Sequence, residues 1–256
     1  MESEIVLGAT LWAAISAVMF AAGITQGALG FGFPTISTPL LVIMTDVKTA
    51  IILNLLPNLA VNAIGIARGG NWRASLGQYW PVAAWVLVGA FLGAQFLIHA
   101  PQEPIRLLLG LAIFAYLYQN LLARLDWSWL SRRRRLSAMA FGISGGFFSG
   151  TVNQALPPLL IYFTLLGLEL TVMTQILNLC FFGGKVVQAA TLGATGEIRL
   201  GQALANLPLT LVGLAGLFAG IRIQQRVAAD TYKRVLRYVL FVIALVLLWQ
   251  GSRWFW

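Results

Sequence analysis

Two stretches of this chain repeat each other. Residues 23–41 read GITQGALGFGFPTISTPLL, and residues 142–160 read GISGGFFSGTVNQALPPLL. The matches continue with small insertions and pair Gly23 with Gly142, Pro39 with Pro158, Asn54 with Asn178, Pro81 with Pro208, Gly89 with Gly216 and Arg106 with Arg234. The chain is therefore a duplicated unit. Duplicated halves that each contain a helix interrupted by glycine and proline are typical of membrane transporters whose binding site lies where the interruptions meet.

The composition indicates a membrane protein. Hydrophobic residues make up 59% of the sequence and charged residues 10%, whereas a soluble domain carries about 25% charged residues. A spanning helix needs roughly 20 mainly apolar residues. Spans are predicted at residues 5–29, 49–67, 76–98, 105–122, 172–192, 200–221 and 238–248 with its flanks. Two shorter apolar runs, 35–44 and 155–166, follow the glycine-rich segments and are predicted to be half-helices.

The basic residues predict how the chain threads the membrane. They cluster in three loops, which contain Arg68 and Arg73, then Arg124 and residues 132–135, then Arg222, Arg226, Lys233 and Arg234. Because basic loops stay on the cytoplasmic side, an odd number of crossings separates the central loop from Glu197. The second half then enters the membrane from the side opposite to the first, and both termini are extracytoplasmic. The net charge of +9 thus reflects topology, and we expect no nucleic-acid partner.

These arguments predict an all-α polytopic membrane protein. Its two inverted repeats are residues 1–128 and 129–256, which form one membrane domain joined by a basic linker at about 124–136. Each repeat has a broken or re-entrant hairpin, residues 5–44 or 137–166, followed by three spanning helices. The total is about eight hydrophobic helices.

The helix breaks are predicted to form an anion site. They are placed at Gly27, Gly30, Gly32 and Pro34 in the first half and at Gly146, Gly150 and Pro157 in the second. Non-helical backbone survives at membrane depth only inside protein or beside a water-filled cavity. Half-helices that start there direct free amides and a partial positive charge toward the membrane centre. The alternative, close helix packing by small residues, is the interpretation favoured for Gly89 with Gly93.

Polar side chains near the breaks are the candidate substrate-binding residues. They are Gln26, Thr35, Asn54, Asn58, Thr151, Asn153, Asn178 and Lys185. Lys185 lies well inside an apolar run, where an ionisable group costs about 3 kcal/mol or more without a cavity or partner. No carboxylate occurs at comparable depth, so the candidates for its partner are backbone carbonyls or a substrate anion, and loss of its proton is a third solution. Snorkelling toward an interface is the structural alternative.

Four of these features together resemble a known family. They are the doubled glycine-rich segment ending in Pro-Leu-Leu, the helical run with a central Asn, the helix with Pro and Gly-x-x-x-Gly, and the arginine of the fourth helix. They resemble the sulfite exporter TauE/SafE family, also called the toluenesulfonate uptake permease family, over nearly the whole chain. The resemblance implies an integral membrane permease for sulfite, sulfoacetate or another sulfonate, located in a prokaryotic cytoplasmic membrane.

The expected mechanism is alternating access, in which one repeat's hairpin rocks against the other. The three oxygens of a sulfonate suit amide and hydroxyl donors, with Lys185 supplying charge. Because no Asp or Glu is available inside the membrane as a proton relay, we expect coupling through the substrate's own proton, or facilitated export. The expected partners are this anion and lipids at the basic cytoplasmic loops, and the chain could form a homo-oligomer.

Other functions are the alternatives. They are transport of another small organic anion, a non-transporting helper subunit or channel, and an intramembrane enzyme. For an enzyme, Ser149 would be the nucleophile, but His99, the single histidine, is predicted at the membrane surface, too far away to act as its base. A Ser149–Lys185 catalytic dyad is the other arrangement that an intramembrane enzyme could use. We therefore expect no enzymatic activity, no cofactor and no metal site.

Overall fold

The computed structural model describes residues 8–69, 72–122, 133–224 and 229–252, and these ranges contain helices and no strand. In the first half, the helices are α1 (Ala9–Leu29), α2 (Phe33–Met44), α3 (Val47–Gly69), α4 (Trp72–His99), α5 (Gln102–Leu117) and α6 (Gln119–Leu122). In the second half, they are α7 (Arg134–Val152), α8 (Leu156–Leu165), α9 (Leu170–Ala194), α10 (Leu200–Ala205), α11 (Leu207–Gln224) and α12 (Ala229–Ser252). The predicted repeat boundary at 128/129 and most of the basic linker lie outside the described residues.

Five helical segments are long and apolar enough to cross a membrane. They are Ala9–Leu29, Val47–Gly69, Gly77–His99, Leu170–Ala194 and Leu200–Gln224. Helices α2 and α8, together with Arg237–Ser252 of α12, are apolar but shorter. The chain is therefore an all-helical integral membrane protein, and the two predicted half-helices are present as α2 and α8.

The predicted third span of the first half differs from the structure. Residues 105–122 were expected to form one helix, but α5 ends at Leu117 after 16 residues. A turn at Tyr118 separates it from the short helix α6.

In the second half, a turn at Asn206 also divides the predicted 200–221 span into α10 and α11. Pro208 follows within the first turn of α11, and it has no N–H to donate to the carbonyl four residues before it, which interrupts the helix there.

Two pairs of helices pack with their backbones in contact. Helix α1 lies along α11, and helix α4 lies along α7. A Cβ added at Gly27 would lie 2.1 Å from the carbonyl oxygen of Leu217, and one at Gly146 would lie 2.2 Å from that of Val86. Lipid tails are as apolar as these helix surfaces, so close packing of small residues is what holds such pairs together.

Both pairs run parallel. In the first pair, Gly23 meets Gly213 and Gly27 meets Leu217, so the numbers rise together along α1 and α11. In the second pair, Gly142 meets Val82 and residue 150 of α7 meets residue 90 of α4. Each of these close pairs therefore combines one helix from each half of the chain.

Helices α3 and α9 contact each other inside the bundle. Helix α3 also packs against α2 and α11, and α9 packs against α4. Helices α5 and α12 contact each other and also reach α8 and α2 respectively. The first turns of α2 are buried from Phe33 to Pro39. In the non-helical backbone before them, Gly32 is buried and Gly30 and Phe31 are partly buried, so protein covers most of this backbone, as the membrane requires.

The two ends of the bundle differ in their contacts. At one end, Lys48 Nζ lies 3.2 Å from Glu197 Oε2, which joins the start of α3 to the loop after α9. Nearby, Asn206 Nδ2 donates to the carbonyl oxygen of Ile52 at 2.9 Å. Arg68 lies in the last turn of α3, about 30 Å from Lys48 at 1.5 Å per residue, and so marks the opposite end.

Replacement of Gly146 by alanine tests the close packing of α4 and α7. The added methyl group would collide with the backbone of α4, and overpacking of this kind costs about 1–3 kcal/mol. Gly193→Ala is the matched control, because a Cβ there meets nothing within 4 Å and both substitutions gain the same helix propensity. We expect thermal unfolding in detergent to show a lower Tm for Gly146→Ala alone. Equal Tm values for the two variants would contradict the packing described.

Candidate functional site

The first helix break lies between α1 and α2. Gly30 and Gly32 have φ angles of 83° and 107°, a left-handed conformation that glycine adopts without strain. The side chain of Gln26 spans the break, since its Oε1 accepts a hydrogen bond from Phe33 N at 3.0 Å. Gln26 thus satisfies one of the free amides at the start of α2, where backbone groups have no helical partner.

Asn178 of α9 closes the same break from the other side. Its Nδ2 donates to the carbonyl oxygen of Gly30 at 2.8 Å, and its Oδ1 accepts from Gln26 Nε2 at 2.8 Å. Both side chains are buried, at 0% exposure for Asn178 and 2% for Gln26. The first break is therefore sealed by one amide pair that joins the two halves of the chain.

The second break lies between α7 and α8. Asn153 ends α7 with a φ of 59°, the one left-handed residue other than glycine among those described. Asparagine tolerates this conformation better than most side chains. The next residue, Gln154, donates from Nε2 to the carbonyl oxygen of Pro34 at 3.0 Å. This bond brings the second break against the start of α2, so the two breaks meet inside the protein.

Lys185 is held at the second break. Its Nζ donates to Asn153 Oδ1 in a short contact and to Gln188 Oε1 at 2.5 Å. Gln188 in turn donates from Nε2 to the carbonyl oxygen of Gly150 at 2.6 Å. The lysine side chain is 1% exposed, so it does not snorkel to an interface.

The charge of Lys185 is balanced by no carboxylate within its surroundings. Helices α1, α2, α3, α7, α8 and α9 contain no Asp or Glu. Its partners are instead side-chain amide oxygens. The sequence analysis had expected backbone carbonyls, a substrate anion or loss of the proton. Amide oxygens satisfy the donors of an ammonium group but do not neutralise its charge.

Three asparagines line the inner face of α3. Asn54, Asn58 and Asn62 are each 0% exposed. Asn62 Nδ2 donates to the carbonyl oxygen of Asn58 at 2.8 Å, and Gln26 Nε2 lies 3.5 Å from Asn62 Oδ1. Asn54 Nδ2 lies 3.3 Å from Thr38 Oγ1 of α2. The asparagines thus extend the polar centre from the first break along α3.

Several buried polar atoms of this centre have no hydrogen-bond partner among the described residues. The donors are Thr35 Oγ1, Asn58 Nδ2 and Asn153 Nδ2, and the acceptors are Asn54 Oδ1 and Gln154 Oε1. A buried polar group without a partner costs about 1–3 kcal/mol. Their concentration around both breaks is what a site for a polar ligand or for water requires.

Thr151 is the candidate residue that the structure separates from this cluster. Its Oγ1 donates to the carbonyl oxygen of Gly93 at 3.0 Å, so the hydroxyl faces α4. The other seven candidates lie at the breaks or on the facing surfaces of α3 and α9.

The first break lies at Gly30 and Gly32, two of the predicted positions, whereas the second lies at Asn153, after the predicted Gly146 and Gly150. Helix α1 continues through Gly27 to Leu29, and α7 continues through Gly146 and Gly150 to Val152. The prediction of breaks at these three glycines is wrong, because each lies inside a helix that packs closely on its neighbour. Pro34 and Pro157 lie in the first turns of α2 and α8, where a missing N–H costs little.

Comparison with known protein families matches residues 15–247 to the family described as sulfite exporter TauE/SafE. The matched range includes both helix breaks, most of the first long apolar segment and all of the other four. The chain belongs to the TauE/SafE family. Searches among curated proteins and among solved structures found no match. Members of the TauE/SafE family are membrane transporters, so the polar centre described above lies in a protein of a transport family.

The sequence analysis missed part of the site of this TauE/SafE protein. Gln154 joins the two breaks and Gln188 binds Lys185, but neither was among the predicted site residues. Gln188 lies three residues after Lys185 on α9, and this helical spacing is the signal that could have identified it. Gln175, whose Nε2 donates to the carbonyl oxygen of Ile66 at 3.3 Å, lies three residues before Asn178 and shows the same signal.

A double-mutant cycle tests the amide pair at the first break. Gln26→Leu and Asn178→Leu each remove the same hydrogen bond, so the second substitution costs less when the first is present. We expect a coupling free energy of about 1 kcal/mol, within the range for residues in contact, measured by unfolding of the two single variants and the double variant. Fully additive losses of stability would contradict the contact.

Proposed function

We propose that this protein carries a small sulfur-containing anion, such as sulfite, sulfoacetate or another sulfonate, across the membrane by alternating access around the two helix breaks. The observation that supports this most strongly is Lys185. Its ammonium group is buried at the second break, in helices without Asp or Glu. An anion is the partner that would balance such a charge in a low-dielectric interior.

The unpaired donors favour an oxyanion as this partner. Thr35, Asn58 and Asn153 each have a buried donor atom without a partner among the described residues. A sulfite or sulfonate group offers three acceptor oxygens to such donors. Thr151 supplies none of these donors, because its hydroxyl donates to the carbonyl oxygen of Gly93 on α4; we place it at the edge of the proposed site, two residues before Asn153.

We also propose that the two halves are inverted repeats. Helices α1 and α4 of the first half correspond to α7 and α11 of the second half. The close pair α1–α11 therefore corresponds to the close pair α7–α4, as a two-fold relation between the halves requires. Helix α2 leads into α3 at the Lys48 end. Helix α8 leads into α9 at the Arg68 end, where Leu170 and Arg68 line one cavity. The two hairpins therefore point in opposite directions, which favours a two-fold axis in the membrane plane.

The close helix pairs indicate which parts move together. Backbone contact joins α1 to α11 and α4 to α7, and each pair combines helices of both halves. A hairpin of one repeat cannot then rock alone, as the sequence suggested, without separating these contacts. We propose that the pairs move as units against α3 and α9, which carry the polar centre. The basic end would face the cytoplasm.

Transport by Lys185 variants tests this function. We expect Lys185→Gln to lower kcat/KM for uptake of radiolabelled sulfite into proteoliposomes by at least about tenfold, because a hydrogen bond to a charged group is worth about 1.5–3 kcal/mol. Lys185→Arg should retain more activity, since it keeps the charge. Arg237→Gln is the control, because it removes an exposed cation from α12. Unchanged uptake by the folded Lys185→Gln protein would refute the role of Lys185, and no uptake by the wild-type protein would refute the substrate.

The ion pair between Lys48 and Glu197 tests alternating access. It holds α3 to the loop after α9 at the end opposite to the cavity, as a closed gate would. We expect Lys48→Glu and Glu197→Lys each to change the transport rate by about twofold to fivefold, since a half-exposed pair is worth up to about 1 kcal/mol. The double variant restores the pair with reversed charges and should recover the wild-type rate. A double variant no closer to wild type than the single variants would argue against the gate.

A further inference from the structure

A cavity of about 220 Å³ lies at the Arg68 end of the bundle, between α1, α3, α9 and α11. Its polar lining consists of Gln26, Arg68, Thr171, Thr174 and Gln224. A single bound water needs only about 15 Å³, so the cavity has room for a small anion with part of its hydration shell. Its inner wall includes Gln26 and Gly30, which belong to the first helix break.

Arg68 gives this cavity a positive charge. Its side chain is exposed, and the described residues that line the cavity include no acidic one. Within the described part of the chain, Arg68 forms no ion pair. The nearest acid in sequence to the α9 wall, Glu169, is exposed and does not line the cavity. The charge of Arg68 is therefore available to an anion that approaches from this end.

The first turn of α9 forms a second wall. Leu170, Thr171 and Thr174 line the cavity, and the side chain of Glu169 does not cap this helix. The first amides of α9 thus lack a side-chain acceptor, at the helix end that carries a partial positive charge. The N-terminus of α9, the threonine hydroxyls and Arg68 all favour an anion as the ligand.

One layer of side chains separates this cavity from the central site. Gln26 Nε2 donates to Asn178 Oδ1 at 2.8 Å, and Asn62 lies behind Gln26 at 3.5 Å. Asn62 is bonded to Asn58, whose Nδ2 is one of the unpaired donors. An anion in the cavity would therefore need to displace the Gln26–Asn178 pair and pass Asn62 to reach the unpaired donor of Asn58.

We propose that this cavity is a peripheral anion subsite, where Arg68 and the first turn of α9 bind the substrate oxyanion before the Gln26–Asn178 pair opens. The identity of the anion rests on the proposed function. Arg68 then governs capture from the basic end, while turnover depends on the central site. Substrate presented to the opposite end does not meet Arg68 first.

The test compares Arg68→Gln with Arg222→Gln in proteoliposomes. Arg222 is an exposed arginine near the end of α11 that does not line the cavity. For sulfite presented to the basic face, we expect Arg68→Gln to raise KM about threefold to tenfold with kcat unchanged, and to weaken the salt dependence of KM. Arg222→Gln should resemble the wild type. Equal KM values for the two variants, or an equal rise of KM at both faces, would overturn the subsite.

Labelling of a cysteine tests the subsite without transport. Thr171→Cys, in a Cys180→Ser background that removes the native buried thiol, places an exposed thiol on the cavity wall. Sulfoacetate is the probe, because sulfite itself adds to maleimides. We expect sulfoacetate to slow maleimide labelling, and Arg68→Gln to reduce that protection at least threefold. Protection without transport would leave the subsite standing while the proposed function fails, whereas labelling at the same rate with and without sulfoacetate would refute the subsite.

Discussion

The structure depends on how interrupted backbone is satisfied inside a membrane. Where α1 and α7 end, the carbonyls of their last turns and the amides of the following half-helices lose their helical partners, and hydrocarbon offers none. Side-chain amides take their place: Gln26 and Asn178 at the first break and Gln188 at the second. Neutral amides suit this role because each carries both a donor and an acceptor. The same groups give the interior a polar centre that a purely apolar bundle would lack.

Around this centre, glycine holds the helices together. The α1–α11 and α4–α7 contacts are closer than any side chain permits. Packing of this kind is rigid, because interdigitated surfaces fit in one arrangement. The polar centre has unpaired donors and acceptors instead, and its hydrogen bonds are of the kind that can exchange partners. Rigid contacts thus hold the long helices together, while exchangeable contacts join the breaks beside them.

The sequence predicted the architecture better than the contacts of individual site residues. The half-helices α2 and α8 followed from run length and from Pro34 and Pro157, because these are local signals. The glycines at 27, 146 and 150 were misread, because a glycine that breaks a helix and one that packs a helix look alike until the neighbour is known. Gln154 was not selected, since its bond to the carbonyl of Pro34 joins segments far apart in sequence. Asn153 was a candidate, but its bond to Lys185 was not predicted, because the left-handed turn that brings its Oδ1 to the ammonium group has no local sequence signature.

Helix α9 carries contacts to both breaks. Asn178 binds the carbonyl of Gly30, and Gln188 binds the carbonyl of Gly150, about 15 Å apart along one helix at 1.5 Å per residue. A stiff helix transmits rotation and translation over this length, so neither contact can be displaced without disturbing the other. The two breaks are thereby mechanically coupled through a single element. The position of α9 thus links the conformation of one break to that of the other.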